Sequence, residues 1–502
     1  DHGTKYFKYK LKMGVGEELV SAELYRWHAD RIAGVEAPLG LKSSIRMEAP
    51  IQAKGGIILK WFKQKGSPLE TDAYRDLSLG HTGSKAFTKC LRISAQPALA
   101  DASVDTQYGS GLNGAGTDLA HLHGRAMSDW AELNNICLAK IYVDIEKAFP
   151  SMCRSLALPM PQSDEELVKR MKALGLTPEA VHHAIDGLKA NASWASGPKG
   201  STHLEAMLVD RHQDTWASQE FLPGVLAVNN GATTGNATAD MVFSAAAAGV
   251  LREMRQELRM ADLVEVIPAG GIDVFHPEDG PMPAMEINET SFIDDDLVGV
   301  FGDATKVLPK AARSMTIIDF VLTKNGFNVN YTFGKTEMEL ELHGPGSGKL
   351  LEYVDHDIQR SLEIPREGRT NAYLRIVDYY RHLGTGDASQ GSMYEEVRNR
   401  CGLMKATSVA IATPLLANQD ISLETRKHTA LIYIQTRGTF QCGTWPTLHC
   451  REYNKMHAGI MSMYRKLMPP PVVVGSTKKG HKMLWKDEGL EKAPKPPDQS
   501  KK

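Results

Sequence analysis

The alternation of apolar and polar positions divides the chain into successive elements. Residues 15–48 read as helices, one opening at Gly14-Val15-Gly16-Glu17-Glu18-Leu19 and another over Ala37–Met47. Lys54–Gly66 predicts a strand that carries Lys60, Lys63 and Lys65 and ends at Gly66-Ser67-Pro68. Lys85–Ile93 predicts a helix, and the Gly-rich stretch Gly109–Asp118 predicts a loop opening a helix through Trp130. In Lys140–Asp144, Ile141 and Val143 alternate with Tyr142 and Asp144, the pattern of a half-buried strand, and the chain then turns into Ala148-Phe149. Residues 151–220 are polar and helical, and Gly224–Asn230 is extended. A second Gly-rich loop, Gly231–Asn236, feeds a long helix, Ala237–Leu258, dense in small residues at its start. Ser291–Val300 reads as a strand, a tight acidic turn and a second strand. An amphipathic helix follows over Ala304–Asn325, and residues 395–467 read as all-helical. From Pro469 the tail is rich in Pro and Lys and is expected to be disordered.

Carboxylates interrupt two of the apolar runs. Asp294, Asp295 and Asp296 sit together between Phe292-Ile293 and Leu297-Val298, and Asp144 falls at the carboxyl end of its strand. Adjacent like charges repel, so a fold gains nothing from them unless a cation lies between them. Taken alone, the first is a solvated acidic turn and the second a strand-end cap. Taken together, two strand-end acidic sites can hold a pair of Mg2+ ions, which clamp the attacking and leaving oxygens of a phosphoryl transfer.

The length of 502 residues allows about two to four domains. The net charge of −2 is not the basic footprint of a nucleic-acid binder, so polyanion binding would require local segregation of charge. Six scattered Cys form no disulfide framework and favour a reducing compartment. The longest apolar run, near Met241–Leu251, is too short and too rich in Ala to span a bilayer, so no membrane partner is expected. The chain begins with Asp1, as a fragment of a longer product would. Cys442, His449, Cys450 and His457 fit none of the usual zinc-ligand spacings and read as structural.

The order of motifs resembles the reverse transcriptase domain of LINE-like (non-LTR) retrotransposons, from about residue 14 to about residue 467. Tyr74-Arg75-Asp76-Leu77-Ser78-Leu79 is similar to the family's "YRPISL", and Gln107–Asp118 to "QFGFRxGRSTTD". Asp144-Ile145-Glu146-Lys147-Ala148-Phe149 is similar to motif A, "DIxKAFD", and Gly231–Ser244 to motif B, "GxRQGDPLSPLLFN". Phe292-Ile293-Asp294-Asp295 resembles the "YADD" box of motif C, and Asn330 with Gly334-Lys335-Thr336-Glu337 the "N..KTE" of motif D. His382-Leu383-Gly384, followed by Glu395–Arg400, resembles the primer grip leading into the thumb.

The resemblance implies an α+β right-hand polymerase. The N-terminal extension and fingers would occupy 1–135, and the palm 136–350 with an inserted helical fingers segment at about 150–225. The primer grip and helical thumb would occupy 351–468, with the tail over 469–502. It implies an intracellular, nuclear enzyme that copies a template RNA by adding dNTPs to a DNA primer, with two Mg2+ ions and Mn2+ as a substitute. Asp144, Asp294 and Asp295 would be catalytic and, with the Ile145 carbonyl, metal-binding. Arg75, Lys63, Phe149, Gly235 and Lys335 would bind the nucleotide, Phe149 as a steric gate against a ribose 2′-OH. Lys60, Lys65, His382, Leu383, Gly384, Arg398 and Arg400 would contact template and primer. Thr233-Thr234 replace the family's Arg-Gln in motif B, Ala237 replaces its Pro, and the loop at Gly109 lacks its Arg. The alternative is a decayed copy acting as a nucleic-acid-binding scaffold. The extra acid leaves two registers open, Asp294-Asp295 or Asp295-Asp296 as the metal pair.

Overall fold

Cys137–Asp144 is buried along all but its last residue, and the largest sheet is built around it. The computed structural model describes residues 16, 18–64, 66–112, 116–160, 197–219, 222–232, 235–271, 280–388, 391–467, 472–477 and 480–484. Short isolated pieces between 168 and 186 complete it. The fold is α+β and divides into two units, Asp1–Gly391 and Ser392–Lys502.

In chain order the first strands are β1 (Gly56–Phe62), β2 (Tyr74–Gly80), β3 (Gln107–Tyr108), β4 (Cys137–Asp144), β5 (Trp216–Gln219) and β6 (Val225–Ala227). Then come β7 (Val266–Ile267), β8 (Met285–Glu286), β9 (Glu289–Phe292), β10 (Asp295–Gly302) and β11 (Glu337–Glu341). The first unit ends with β12 (Ser361–Ile364), β13 (Ala372–Val377), β14 (Tyr379–His382) and β15 (Thr385–Ala388). A seven-stranded sheet runs β12-β13-β11-β4-β10-β9-β3, and a four-stranded sheet runs β2-β1-β5-β6.

Side chains alternate between the faces of a strand, so β4 serves two cores. Cys137, Ala139, Ile141 and Val143 join Val298, Val300 and Met338 beneath the helices Ala239–Met260 and Val307–Lys324. On the other face Leu138 and Tyr142 join Leu297 and Phe301 against Met127 and Ala131 of the helix Thr117–Asn134. Both faces being covered explains why β4 and β10 read as nearly continuous apolar runs.

Several predicted boundaries move. The helix expected over Lys85–Ile93 runs Thr82–Ala102, its first turn capped by His81 Nδ1 accepting from the Ser84 amide. The N-terminal helices are Ala22–Trp27 and Ala29–Arg46, the second continuing through Pro38. Part of the segment expected to be helical at 151–220 is strand, because Trp216–Gln219 pairs in parallel with the open edge of β1. Much of the rest of that segment lies outside the described residues.

In the second unit the helices Tyr394–Ala410, Leu423–Ala430 and Cys450–Arg465 enclose a small core including Val397, Met404, Ile434, Met456 and Met463. Wider helical turns interrupt them at Ala412–Leu416 and Leu431–Gln435. The tail, expected to be disordered, contains an antiparallel pair, β16 (Val472–Thr477) with β17 (Gly480–Leu484), in keeping with its run of three Val.

Candidate active site

Asp144, the last residue of β4, pairs directly with Asp295, the first residue of β10. Directly opposed residues of an antiparallel pair share a face with Cβ atoms about 4.5–5.5 Å apart, so two like charges are held together by the backbone itself. Phe292 pairs with Asp295, which leaves Ile293 and Asp294 as a two-residue turn. Ile293 has φ +63° and Asp294 does not share the left-handed region. Positive φ at the first central residue alone is the type II′ pattern, where glycine is favoured. A β-branched residue there is strained, and the surroundings must hold it.

The strand β3 does so. Gln107 and Tyr108 pair in parallel with Ser291 and Phe292, and the Ile293 amide donates to the Tyr108 carbonyl over 3.3 Å. Gly109, at φ +85°, lies against the turn, and a Cβ on it would stand 2.6 Å from Ile293 Cγ1. Ser110 Oγ is 2.8 Å from Ser244 Oγ, and Gln107 Nε2 donates to the Ser244 carbonyl over 2.7 Å. The Gly109-Ser110 stretch after β3 is thereby tied both to the acidic turn and to the helix Ala239–Met260.

The segment 328–336 grips Asp144 at every polar group. Its amide donates to Thr336 Oγ1 over 3.0 Å, and its carbonyl accepts from the Asn330 amide over 2.9 Å. Its carboxylate accepts from Asn330 Nδ2 at 3.0 Å on Oδ2 and from Lys335 Nζ at 2.8 Å on Oδ1. The bridge between Ile145 and Val329 uses the Asp144 carbonyl and the Glu146 amide, not the Ile145 carbonyl.

Burial raises the Asp294 carboxyl above its ordinary range, and Asp144 adds to the rise while Lys335 and Arg75 oppose it. Asp295 is pushed up to about 7, by burial first and then by Asp294 and Asp144. Asp296 is also pushed up to about 7 by burial, yet it belongs to the opposite face, beside Glu289 and opposite Ser291. Its Oδ1 has no hydrogen-bond partner among the described residues. Alternation along β10 therefore separates the two registers: Asp294 and Asp295 lie with Asp144, and Asp296 points into the core.

Among the described residues, no three His, Cys, Asp or Glu side chains are grouped so as to hold a metal ion. The site does offer a cation uncompensated charge. Lys335 and Arg75 bear on Asp294 and Lys335 on Asp295, and the Lys335 ammonium already stands on Asp144 where a metal ion would bind. A hard divalent ion with oxygen ligands fits that chemistry.

The other expected residues fall in several places. Arg75 lies on β2, opposite Trp61 and within electrostatic reach of Asp294. The Lys63 amide donates to the Ala73 carbonyl, where β1 meets β2. Lys60 is paired with Asp76 across the two strands, Nζ to Oδ1 2.5 Å, which offsets its charge. Lys65, Thr233 and Thr234 lie outside the described residues. Gly235 has φ +101°, and a Cβ on it would stand 2.4 Å from the Ser78 carbonyl oxygen of β2, so Gly235 lies directly against that strand. The half-buried Phe149 ring stacks on Phe243 at 4.9 Å, and Phe243 meets Phe327 edge-on at 5.9 Å. Leu383 and Gly384, both at positive φ, form the turn of the β14–β15 hairpin, and His382 is buried beneath it beside Tyr142 and His121. Arg398 and Arg400 belong to the second unit, paired with Glu395 at 2.7 Å and with Glu396 at 2.5 Å. The Arg400–Glu396 pair is buried, so Arg400 serves the core of its own unit rather than an open surface.

Sequence reasoning missed the network behind Asp144. Lys140 Nζ lies 2.6 Å from both Glu341 and Asp387 and 4.0 Å from Glu339. The Tyr142 hydroxyl lies 2.8 Å from Glu339 and 3.1 Å from Asp387. Burial opposes the charge on Lys140, but the three carboxylates around it raise its pKa; Glu339, buried among like charges, is raised well above the usual range. The network fastens the β14–β15 hairpin to the strand that carries Asp144. Its signal in the sequence was Glu337-Met338-Glu339-Leu340-Glu341, three acids on one face of a strand, facing a Lys between apolar neighbours.

No protein-family model matches the chain, and no curated protein matches it.

Proposed function

We propose that the chain is an RNA-templated DNA polymerase of the non-LTR retroelement type, a right-hand polymerase whose palm is the sheet around Asp144. The observation that carries this reading is the register that sets Asp295 opposite Asp144 with Asp294 on the adjoining turn. Lys335 and Arg75 beside them give the site both the acids and the cations of phosphoryl transfer.

Asp144, Asp294 and Asp295, with the Ile145 carbonyl, would hold two Mg2+ ions, or Mn2+, which when bound neutralise charge on the attacking and leaving oxygens. Arg75 and Lys63 bind the triphosphate of the incoming dNTP. Lys335 would lie near the phosphates as a proton donor or counter-charge. Phe149 excludes a ribose 2′-OH, and Gly235 keeps its loop clear of the template base. Lys60 and the β14–β15 turn would contact the template RNA and DNA primer, and Arg398 of the second unit is a separate candidate contact. The work is positioning and electrostatics, with little covalent chemistry asked of the protein.

The test is extension of oligo(dT) on poly(rA) with dTTP and Mg2+. The wild type extends the primer, and Asp144→Asn loses at least about 100-fold of the rate while keeping its thermal unfolding and its template–primer binding. Extension retained by Asp144→Asn overturns the reading. One observation favours a second reading, a decayed polymerase serving as a nucleic-acid-binding scaffold: both Asp144 carboxylate oxygens are already engaged, by Lys335 and Asn330. Salt-sensitive template–primer binding without any extension selects the scaffold.

A further inference from the structure

A cavity of about 560 Å3 lies between the helices Ala29–Arg46 and Thr82–Ala102, lined by Leu39, Pro50, Ala86, Phe87 and Arg211. Its size falls within the ~300–1,000 Å3 of small-molecule sites. Arg211 projects from the helix Thr202–His212 and is 5% exposed. Its Nε and Nη1 have no hydrogen-bond partner among the described residues.

The neighbouring buried arginine shows how this fold satisfies a guanidinium when it needs to. Arg154 donates to the carbonyls of Gly231, His212 and Asn230 and to Thr215 Oγ1. Arg211 has no such set. Asp210, next to it in sequence, acts on Arg211 through its charge but spends its oxygens on Lys54 Nζ and the Ala49 amide, each at 2.7 Å. Glu36, elsewhere in the cavity wall, is engaged by the Tyr25 hydroxyl. A guanidinium does not shed its proton, so burying one without a partner is unfavourable unless an anion completes it.

We infer that this cavity binds a small organic monocarboxylate, its apolar body between the two helices and its head group on Arg211. The planar guanidinium fork matches a carboxylate. The apolar walls favour a ligand with a hydrocarbon body over a free inorganic anion. The acid at Glu36 disfavours a polyanion. This site is separate from the acidic turn and does not rest on the polymerase reading.

The test uses the full chain with decanoate as probe, 1-decanol as the same body without charge, and inorganic phosphate as charge without the body. Cys90 lines the cavity and is partly buried, whereas Cys442 and Cys450 are exposed. Alkylation by iodoacetamide, read residue by residue by mass spectrometry, therefore reports occupancy. Decanoate is expected to slow labelling of Cys90 saturably, leave Cys442 and Cys450 unchanged, and raise the melting temperature. Arg211→Met, which removes a buried guanidinium whose Nε and Nη1 lack hydrogen-bond partners among the described residues, is expected to fold and to bind decanoate about tenfold or more weakly, the scale of one charge-assisted hydrogen bond. Arg211→Lys is expected to fall between the two. Protection by decanol or phosphate equal to that by decanoate, no protection by decanoate, or undiminished decanoate binding in Arg211→Met would each overturn the assignment. The comparison of the three probes on the wild type decides the matter even if the Met variant fails to fold.

Discussion

The Lys335 ammonium lies 2.8 Å from Asp144 Oδ1, on the carboxylate that faces Asp295 across the sheet. An ammonium there relieves the repulsion between the two acids and competes with any metal ion for the same oxygen. Lys335→Met should therefore bind Mg2+ more tightly, by about two- to fivefold, the scale of a partly exposed ion pair. Under the proposed polymerase function, turnover should also fall, because a leaving pyrophosphate would lose its neighbouring cation. Titration calorimetry with Mg2+ checks the first effect; unchanged or weaker binding shows that Lys335 does not compete.

Gly109 and Ile293 are also coupled. At φ +85°, with Ile293 Cγ1 2.6 Å from where a Cβ would stand, Gly109→Ala is strained in its backbone and collides with the turn. The expected loss is about 1–3 kcal/mol of stability; under the proposed polymerase function, extension should fall as well, because Asp294 is displaced. Ile293→Ala removes the colliding atoms, so the double variant should recover part of the loss. A double-mutant cycle by chemical denaturation measures it, and strict additivity would mean that the two residues do not meet.

Asp295 adds a pH-dependent cost. Its carboxyl titrates near 7 in the folded chain against an ordinary 3.8. Between about pH 4 and 7 the folded chain retains a proton that the unfolded chain releases, so this group's contribution to stability falls as pH rises through that window. His212 and His382, buried neutral with pKa values lowered to about 4 and about 3, act in the opposite direction on acidification. The difference between variants isolates Asp295. Without divalent ions, Asp295→Asn should be more stable than wild type by about 1–3 kcal/mol at pH 8, with the difference shrinking as pH falls and approaching zero only below about pH 4. Thermal unfolding across that range checks it; a difference independent of pH removes Asp295 from the acidic cluster.

Phe149 stacks on Phe243 on one side. Phe149→Val should cost about 1–3 kcal/mol of stability through lost packing. In an active enzyme it should also raise the ratio of rNTP to dNTP kcat/KM. Discrimination by exclusion is a difference of two affinities, so the ratio is the measured quantity. An unchanged ratio with the stability loss present makes Phe149 a core residue alone.

The sequence by itself determined the local pieces: a strand ending in Asp144, an acidic turn between two apolar strands, two Gly-rich loops and the helices after them. These follow from short-range rules, the two-residue period of a strand and the turn chemistry of Gly, and they needed no partner to be legible. What the tertiary structure decided depends on pairing between distant segments. Asp294 and Asp295 are separated from Asp296 by the register of β10 on β4, and a shift of one residue would have exchanged their faces. The placement of Lys335 on Asp144 and of Gly109 on Ile293 came from contacts 191 residues apart in one case and between separate loops in the other. Lys140, Glu339, Glu341 and Asp387 read as unrelated charges along the chain, and became one buried network only when β4, β11 and the β14–β15 hairpin came together. Charge in a sequence is a local property, whereas the energy of a charge depends on what the fold brings beside it and how much water it removes.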